Sequence, residues 1–395
     1  YMGLPKQHGV GNMPWIFLII FSLFCVAVCA INQSYSKVMS FALTAMFTVF
    51  FTIYYFNGVD WLNYYYVFDY FKGAFDIRYD LLFNTYLYIA ANFIGVFQLV
   101  IFIFYFFSFF LLYKLTKNSC IVINGPAFIT CVVFLGGMAL VLDQIRQFVA
   151  ICISFFAFNH LLQGNTKKFY KFILFAALFH YSALFVLLFR MLINLKKKRI
   201  IIAGLVVVVS FVFLGGVIIF NLGFVSNIPV IGLELYRKVA IYVRELDTFK
   251  AEIGFGVCAD ILIIFYYLLR RERYNQLDKL WALAFMSACF HIAFYFMPAF
   301  SRFNYFSILP LSYIFSHALT SRRNKMGVAQ FGTILGAVSL TILIVTVKTF
   351  TDPKRPSWDE YSPSAILFNS QELDNLRSIR CAALKNEIED FCATY

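Results

Sequence analysis

The chain has 395 residues, of which 62% are apolar and 13% charged, with a formal net charge of +13 at pH 7. A soluble fold of this length would need far more polar surface, so the composition excludes a water-soluble globular protein. The basic excess sits in short clusters beside apolar runs, which excludes a nucleic-acid footprint and instead marks one face of a membrane.

Apolar runs recur at 15–32, 38–56, 85–113, 121–142, 147–163, 200–222, 254–270, 279–299, 303–320 and 328–350. Such runs read as spanning helices, because hydrocarbon satisfies no backbone hydrogen bond and the chain must satisfy its own. They show no period-two alternation, which excludes a β-barrel. Tyr1–Met13 has no strongly basic stretch and no small-residue cleavage site follows the first run, so no cleavable signal peptide is expected. The expected fold class is all-α: a polytopic helical membrane protein of about ten full spans.

Five basic connections set the orientation: Lys114/Lys117, Lys167/Lys168/Lys171, Lys196–Arg199, Arg270–Arg273 and Arg322–Lys325. All five can face the cytoplasm if the apolar stretch 169–194, basic at both ends, does not cross. A re-entrant hairpin or strongly broken helix, turning at His180-Tyr181-Ser182, meets that condition; the alternative is one ordinary span that violates the rule once. Both termini then face outward, with outer loops 57–84 and 223–253. The expected domains are a membrane domain over 1–350 and a periplasmic extension over 351–395, which opens on the stiff Asp352-Pro353-Lys354-Arg355-Pro356. The nine cysteines form no metal-ligand pattern and read as small hydrophobes.

Polar signals collect on the outer side. Asp60 follows a turn at Gly58 and precedes Trp61 and Tyr64, aromatics that suit a membrane interface or a sugar-stacking platform. Arg146, with Gln147 beside it, opens a span almost without a loop; Asp143 on the same helical face is its candidate partner, and an anion is the alternative. His180 and Tyr181 stand at the proposed break, where an imidazole can exchange a proton near neutrality. Leu235, Val239, Tyr242, Leu246 and Phe249 form a helical stripe with Arg244 off it, as in an interfacial helix. Arg302 and Tyr305 follow at the mouth of two later runs. Asp260, inside a run, is costly there without an evident role; His160, His291 and His317 read as packing residues.

Taken together, Gly58-x-Asp60-Trp61-x-x-Tyr64-x-x-x-Phe68, Ile145-Arg146-Gln147, Leu178-Phe179-His180-Tyr181-Ser182-Ala183-Leu184 and Arg302-x-x-Tyr305-Phe306 resemble, in order and spacing, the EpsG family of Wzy-type polysaccharide polymerases. The segment after Asp352 has no counterpart in that pattern. The resemblance implies a GT-C-like inner-membrane glycosyltransferase that requires no metal and no cofactor. Its substrates would be undecaprenyl-diphosphate-linked oligosaccharides, as donor and as acceptor, on the periplasmic side, with a chain-length regulator as a plausible further partner.

The chemistry of the residues fits that implication. Cleaving a glycosyl–diphosphate bond leaves negative charge on the departing group, which fixed cations in a dry cavity stabilise. Arg146, Arg302 and Arg244 are the candidate diphosphate ligands, Asp60 and His180 the candidate bases, and Trp61, Tyr64, Gln147, Tyr181 and Tyr305 the candidate substrate contacts. Three other readings fit a basic polytopic chain: an O-antigen ligase, a lipid-linked oligosaccharide flippase and a secondary transporter.

Overall fold

The computed structural model describes residues 13–55, 60–76, 79–220, 255–271, 275–295, 298–320 and 336. Arg244, the stripe within 223–253, the run at 328–350 and the tail after Asp352 lie outside the described residues. The described residues are helical throughout, without a strand. Among the described residues, four helices are long and apolar enough to cross a membrane: Gln33–Tyr54, Phe97–Asn118, Ile145–Leu162 and Gln276–Phe294. Ile16, Phe17, Ile20 and Phe24 on one helix, and Ile261, Leu262 and Phe265 on another, are exposed. Rows of large bare aliphatic and aromatic side chains of this kind are stable only against hydrocarbon. The chain is a helical membrane protein.

It divides into two compact units. The first contains α1 (Met13–Ile31), α2 (Ser36–Tyr54), α3 (Trp61–Tyr70), α4 (Leu81–Phe93), α5 (Phe97–Asn118), α6 (Gly125–Leu135), α7 (Met138–Leu142) and the start of α8 (Ile145–Leu162), joined by residues 175–181. Its core is aromatic: Phe47 lies 5.5 Å from Phe109 and 6.2 Å from Phe134, ring centre to ring centre. Asn124 locks α6 in place. Its side-chain oxygen accepts the Ala127 N–H at 3.0 Å as an N-cap, its amide reaches Val26 O at 3.3 Å, and Pro126 occupies the first turn. On α2, a buried row repeats every fourth residue: Thr44, Thr48 and Thr52 each donate their hydroxyl to the carbonyl four residues back, at 2.7, 2.9 and 2.7 Å.

The second unit contains α9 (Thr166–Phe179) up to Leu174, a 3₁₀ segment (Tyr181–Val186) from Ser182, α10 (Leu187–Leu192), α11 (Lys197–Phe220), α12 (Phe255–Leu269), α13 (Gln276–Tyr295), a second 3₁₀ segment (Pro298–Ser307) and most of α14 (Ile308–Ala318). Ile200, Tyr267, Phe285, Met286, Cys289 and Phe290 form its core. At Gly204 the helix α11 comes so close to α13 that a Cβ would stand 2.8 Å from both Cys289 Sγ and Phe285 Cε1. Only glycine fits that approach without movement of a neighbour.

Three expected spans are corrected. The run 85–113 is two helices, α4 and α5, parted at Gly95, whose φ of +71° belongs to the left-handed region. Apolar residues on both sides of that glycine hide the break from periodicity. The run 121–142 is likewise α6 and α7, and the run 303–320 begins as a 3₁₀ segment before α14. The stretch 169–194 breaks at the expected place: α9 ends at Phe179, and after His180 the chain winds as a 3₁₀ segment.

Candidate active site

In the first unit, three of the four sequence motifs meet around Arg146. The second residue of α8, it directs Nη1 to Asp80 Oδ2 at 2.6 Å and Nε to Tyr64 Oη at 3.3 Å. Its guanidinium carbon lies 4.4 Å from the centre of the Tyr79 ring, 5.7 Å from Phe83 and 5.8 Å from Tyr64. Those three rings stand edge-on to one another at 5.1–5.7 Å, forming an aromatic cage. An arginine on aromatic faces gains about 0.5–2 kcal/mol per face, more as water is excluded. The ion pair is mostly shielded, with 16% of the Arg146 and 11% of the Asp80 side chain exposed.

Local structure explains why these groups are fixed. Asp80 immediately precedes α4, the position from which an aspartate usually caps a helix, yet its side chain makes no cap bond. One oxygen takes Arg146, and the other accepts the Tyr181 backbone N–H at 3.2 Å. Asp80 therefore ties α8 to the break after His180. Buried Asn84 exchanges two hydrogen bonds with the backbone of Tyr79, at 2.7 and 3.2 Å, and so holds the Tyr79 ring over the guanidinium. Burial pushes the Tyr64 phenol up from its usual range and Arg146 draws it partly back, so Tyr64 stays protonated at neutral pH.

The expected partner Asp143 is thus replaced by Asp80, because Asp80, at the start of α4, lies against the start of α8. Asp80 escaped sequence reasoning because an aspartate before an apolar run reads as a helix cap. Asp60 lies at the start of α3, where its carbonyl accepts N–H groups from Asn63 and Tyr64. Trp61, Tyr64 and Gln147, expected against substrate, are buried at 1%, 2% and 0% exposure, and of the three Tyr64 touches Arg146 directly. His180 is buried and stacks on Tyr181 at 5.2 Å; Tyr181 itself is 61% exposed. With Nε and one Nη1 proton engaged, the Nη2 donors of Arg146 meet no acceptor among the described residues. The cluster is a rigid guanidinium with unspent donors beside an exposed tyrosine.

Arg302 and Tyr305 belong to the second unit. A 3₁₀ helix has three residues per turn, so they share one face, and Phe303 and Phe306 share another. Phe303 stacks on Phe185 at 5.3 Å and Phe306 is fully buried, which anchors the segment and leaves Arg302 exposed. The same unit holds a pair that the sequence reading left apart: His291 Nδ1 shares a hydrogen bond with the Asp260 carboxylate. Two ionisable residues in consecutive apolar helices are each costly alone, and that cost was the signal for pairing them. The Asp260 carboxylate thereby fixes the orientation of the His291 ring.

No curated protein and no solved structure matches the chain. The EpsG family model matches residues 37–363, which carries the similarity past Asp352 into the segment that the motifs left without a counterpart. The chain belongs to the EpsG family, whose members are Wzy-like polymerases.

Proposed function

We propose that the protein polymerises a polysaccharide (O antigen, capsule or exopolysaccharide) by moving the growing glycan from undecaprenyl diphosphate to the non-reducing end of an undecaprenyl-diphosphate-linked repeat unit, on the periplasmic face of the inner membrane. Membership already makes it a polysaccharide-polymerase-type membrane protein. The observation that carries the finer reading is the caged Arg146. Held by Asp80 and three rings, it presents donors without reorganising when negative charge develops on a departing diphosphate. Arg302 and Arg244 serve as further diphosphate ligands, and Tyr181 and Tyr305 contact the sugars, with Trp61, Tyr64 and Gln147 supporting the site. The acceptor hydroxyl loses its proton to Asp60, His180 or the carboxylate-oriented His291. The architecture is GT-C-like, with about ten spans, a re-entrant or broken helix at His180 and both termini periplasmic.

Purified protein given a synthetic diphospholipid-linked repeat unit without added metal should produce a ladder of lengths on a gel. Arg146→Ala and Arg302→Ala should insert normally and yield no ladder; normal long product from both variants overturns the reading. The Asp260–His291 pair specifically favours one second reading, proton-coupled transport through paired intramembrane groups. Uptake of a small solute into proteoliposomes, with no ladder formed, selects it.

A further inference from the structure

At the end of the second unit remote from the Asp260–His291 pair, the helices α11, α12 and α13 surround a cavity of about 230 Å³. Its floor is apolar, with Ile193, Tyr267 and Ala282 all buried. Among the described residues its rim carries five cations, Lys196, Lys197, Arg270, Arg271 and Lys279, against one carboxylate, that of Asp278. The fold accounts for three of these charged groups. Arg270 donates Nε and Nη2 to Asp278 Oδ1 at 3.2 and 2.8 Å. Lys197 caps the end of α12 by donating to Leu268 O at 3.0 Å and Arg270 O at 2.5 Å, where the helix dipole favours a cation.

Lys196, Arg271 and Lys279 remain, and none of their side chains has a hydrogen-bonding or ion-pair partner among the described residues. Three cations whose side chains have no partner among the described residues, around an apolar-floored cavity at the level where apolar helices end, match a group that is anionic at one end and hydrocarbon at the other. The volume falls below the roughly 300–1,000 Å³ of a site for a drug-sized ligand, so it admits a headgroup and not a glycan. We propose that this cavity binds the phosphate headgroup of an anionic membrane lipid, with the acyl chains lying along α12. The inference does not depend on the role assigned to Arg146.

Native mass spectrometry of the full-length protein, delipidated in detergent and offered phosphatidylglycerol, phosphatidylcholine or inorganic phosphate, tests it. Phosphatidylglycerol should be retained over phosphatidylcholine, and the double variant Arg271→Gln/Lys279→Gln should reduce that preference roughly tenfold. Millimolar inorganic phosphate should not displace the lipid; displacement would make the site one for a soluble phosphate and overturn the lipid assignment. Lys168→Gln/Lys171→Gln removes two basic residues that do not line the cavity and serves as the control. Equal retention of both lipids, or an equal loss in the control, would show diffuse surface attraction and reject the proposal.

Discussion

At the residue scale, Asp80 and Arg146 are worth more together than apart. Removing one member of a shielded pair leaves the other uncompensated, at a cost of about 3–5 kcal/mol, whereas removing both takes the charge problem away. Thermal unfolding in detergent should therefore place Asp80→Ala well below the native protein and the double variant Asp80→Ala/Arg146→Ala above Asp80→Ala alone. A double variant less stable than either single one would mean that the two groups do not form a charge couple. The proton acceptor is separable by the same kind of comparison. Of Asp60→Asn, His180→Ala and His291→Ala, the variant that removes the base should lose about 10²–10⁴ in rate of chain growth, with the other two changing under tenfold. Losses of equal size in all three would remove any single group from that role.

At the scale of elements, the contact of α11 with α13 depends on the absent side chain of Gly204. Gly204→Leu should lower stability by about 1–3 kcal/mol through overpacking against Phe285 and Cys289, read as a lower melting temperature in detergent. An unchanged melt would show that the two helices separate without cost. The same scale shows what periodicity could and could not reveal. Long apolar runs gave the positions of α1, α2, α8, α12 and α13, because a membrane imposes hydrophobicity on every residue of such a helix. For the same reason they concealed the breaks at Gly95 and between α6 and α7: where both flanks are apolar, no change in polarity marks the end of a helix. The break at His180 was legible because a polar triplet interrupts the run there. In the candidate site, Arg146 stood out as an arginine at an apolar boundary. Its true partner did not, since pairing across 66 residues depends on how the start of α4 meets the start of α8.

At the scale of the whole molecule, the alternation of basic and aromatic-acidic connections predicts a side for each connection. Single cysteines at positions 60 and 302, in a background with the native thiols replaced, should react with an impermeant maleimide in intact spheroplasts. Cysteines at positions 117 and 279 should react only after the membrane is opened. Labelling of positions 60 and 302 from opposite sides would separate the motif residues and end the polymerase mechanism proposed for them.

The hydroxyl row on α2 has a consequence for how the protein is made. Thr44, Thr48 and Thr52 satisfy their donors within their own backbone, so these three hydroxyls need no partner from another helix. The row can therefore leave the insertion machinery for lipid before any later segment has been synthesised, with these donors already met. Biogenesis of this half of the molecule can then proceed one helix at a time.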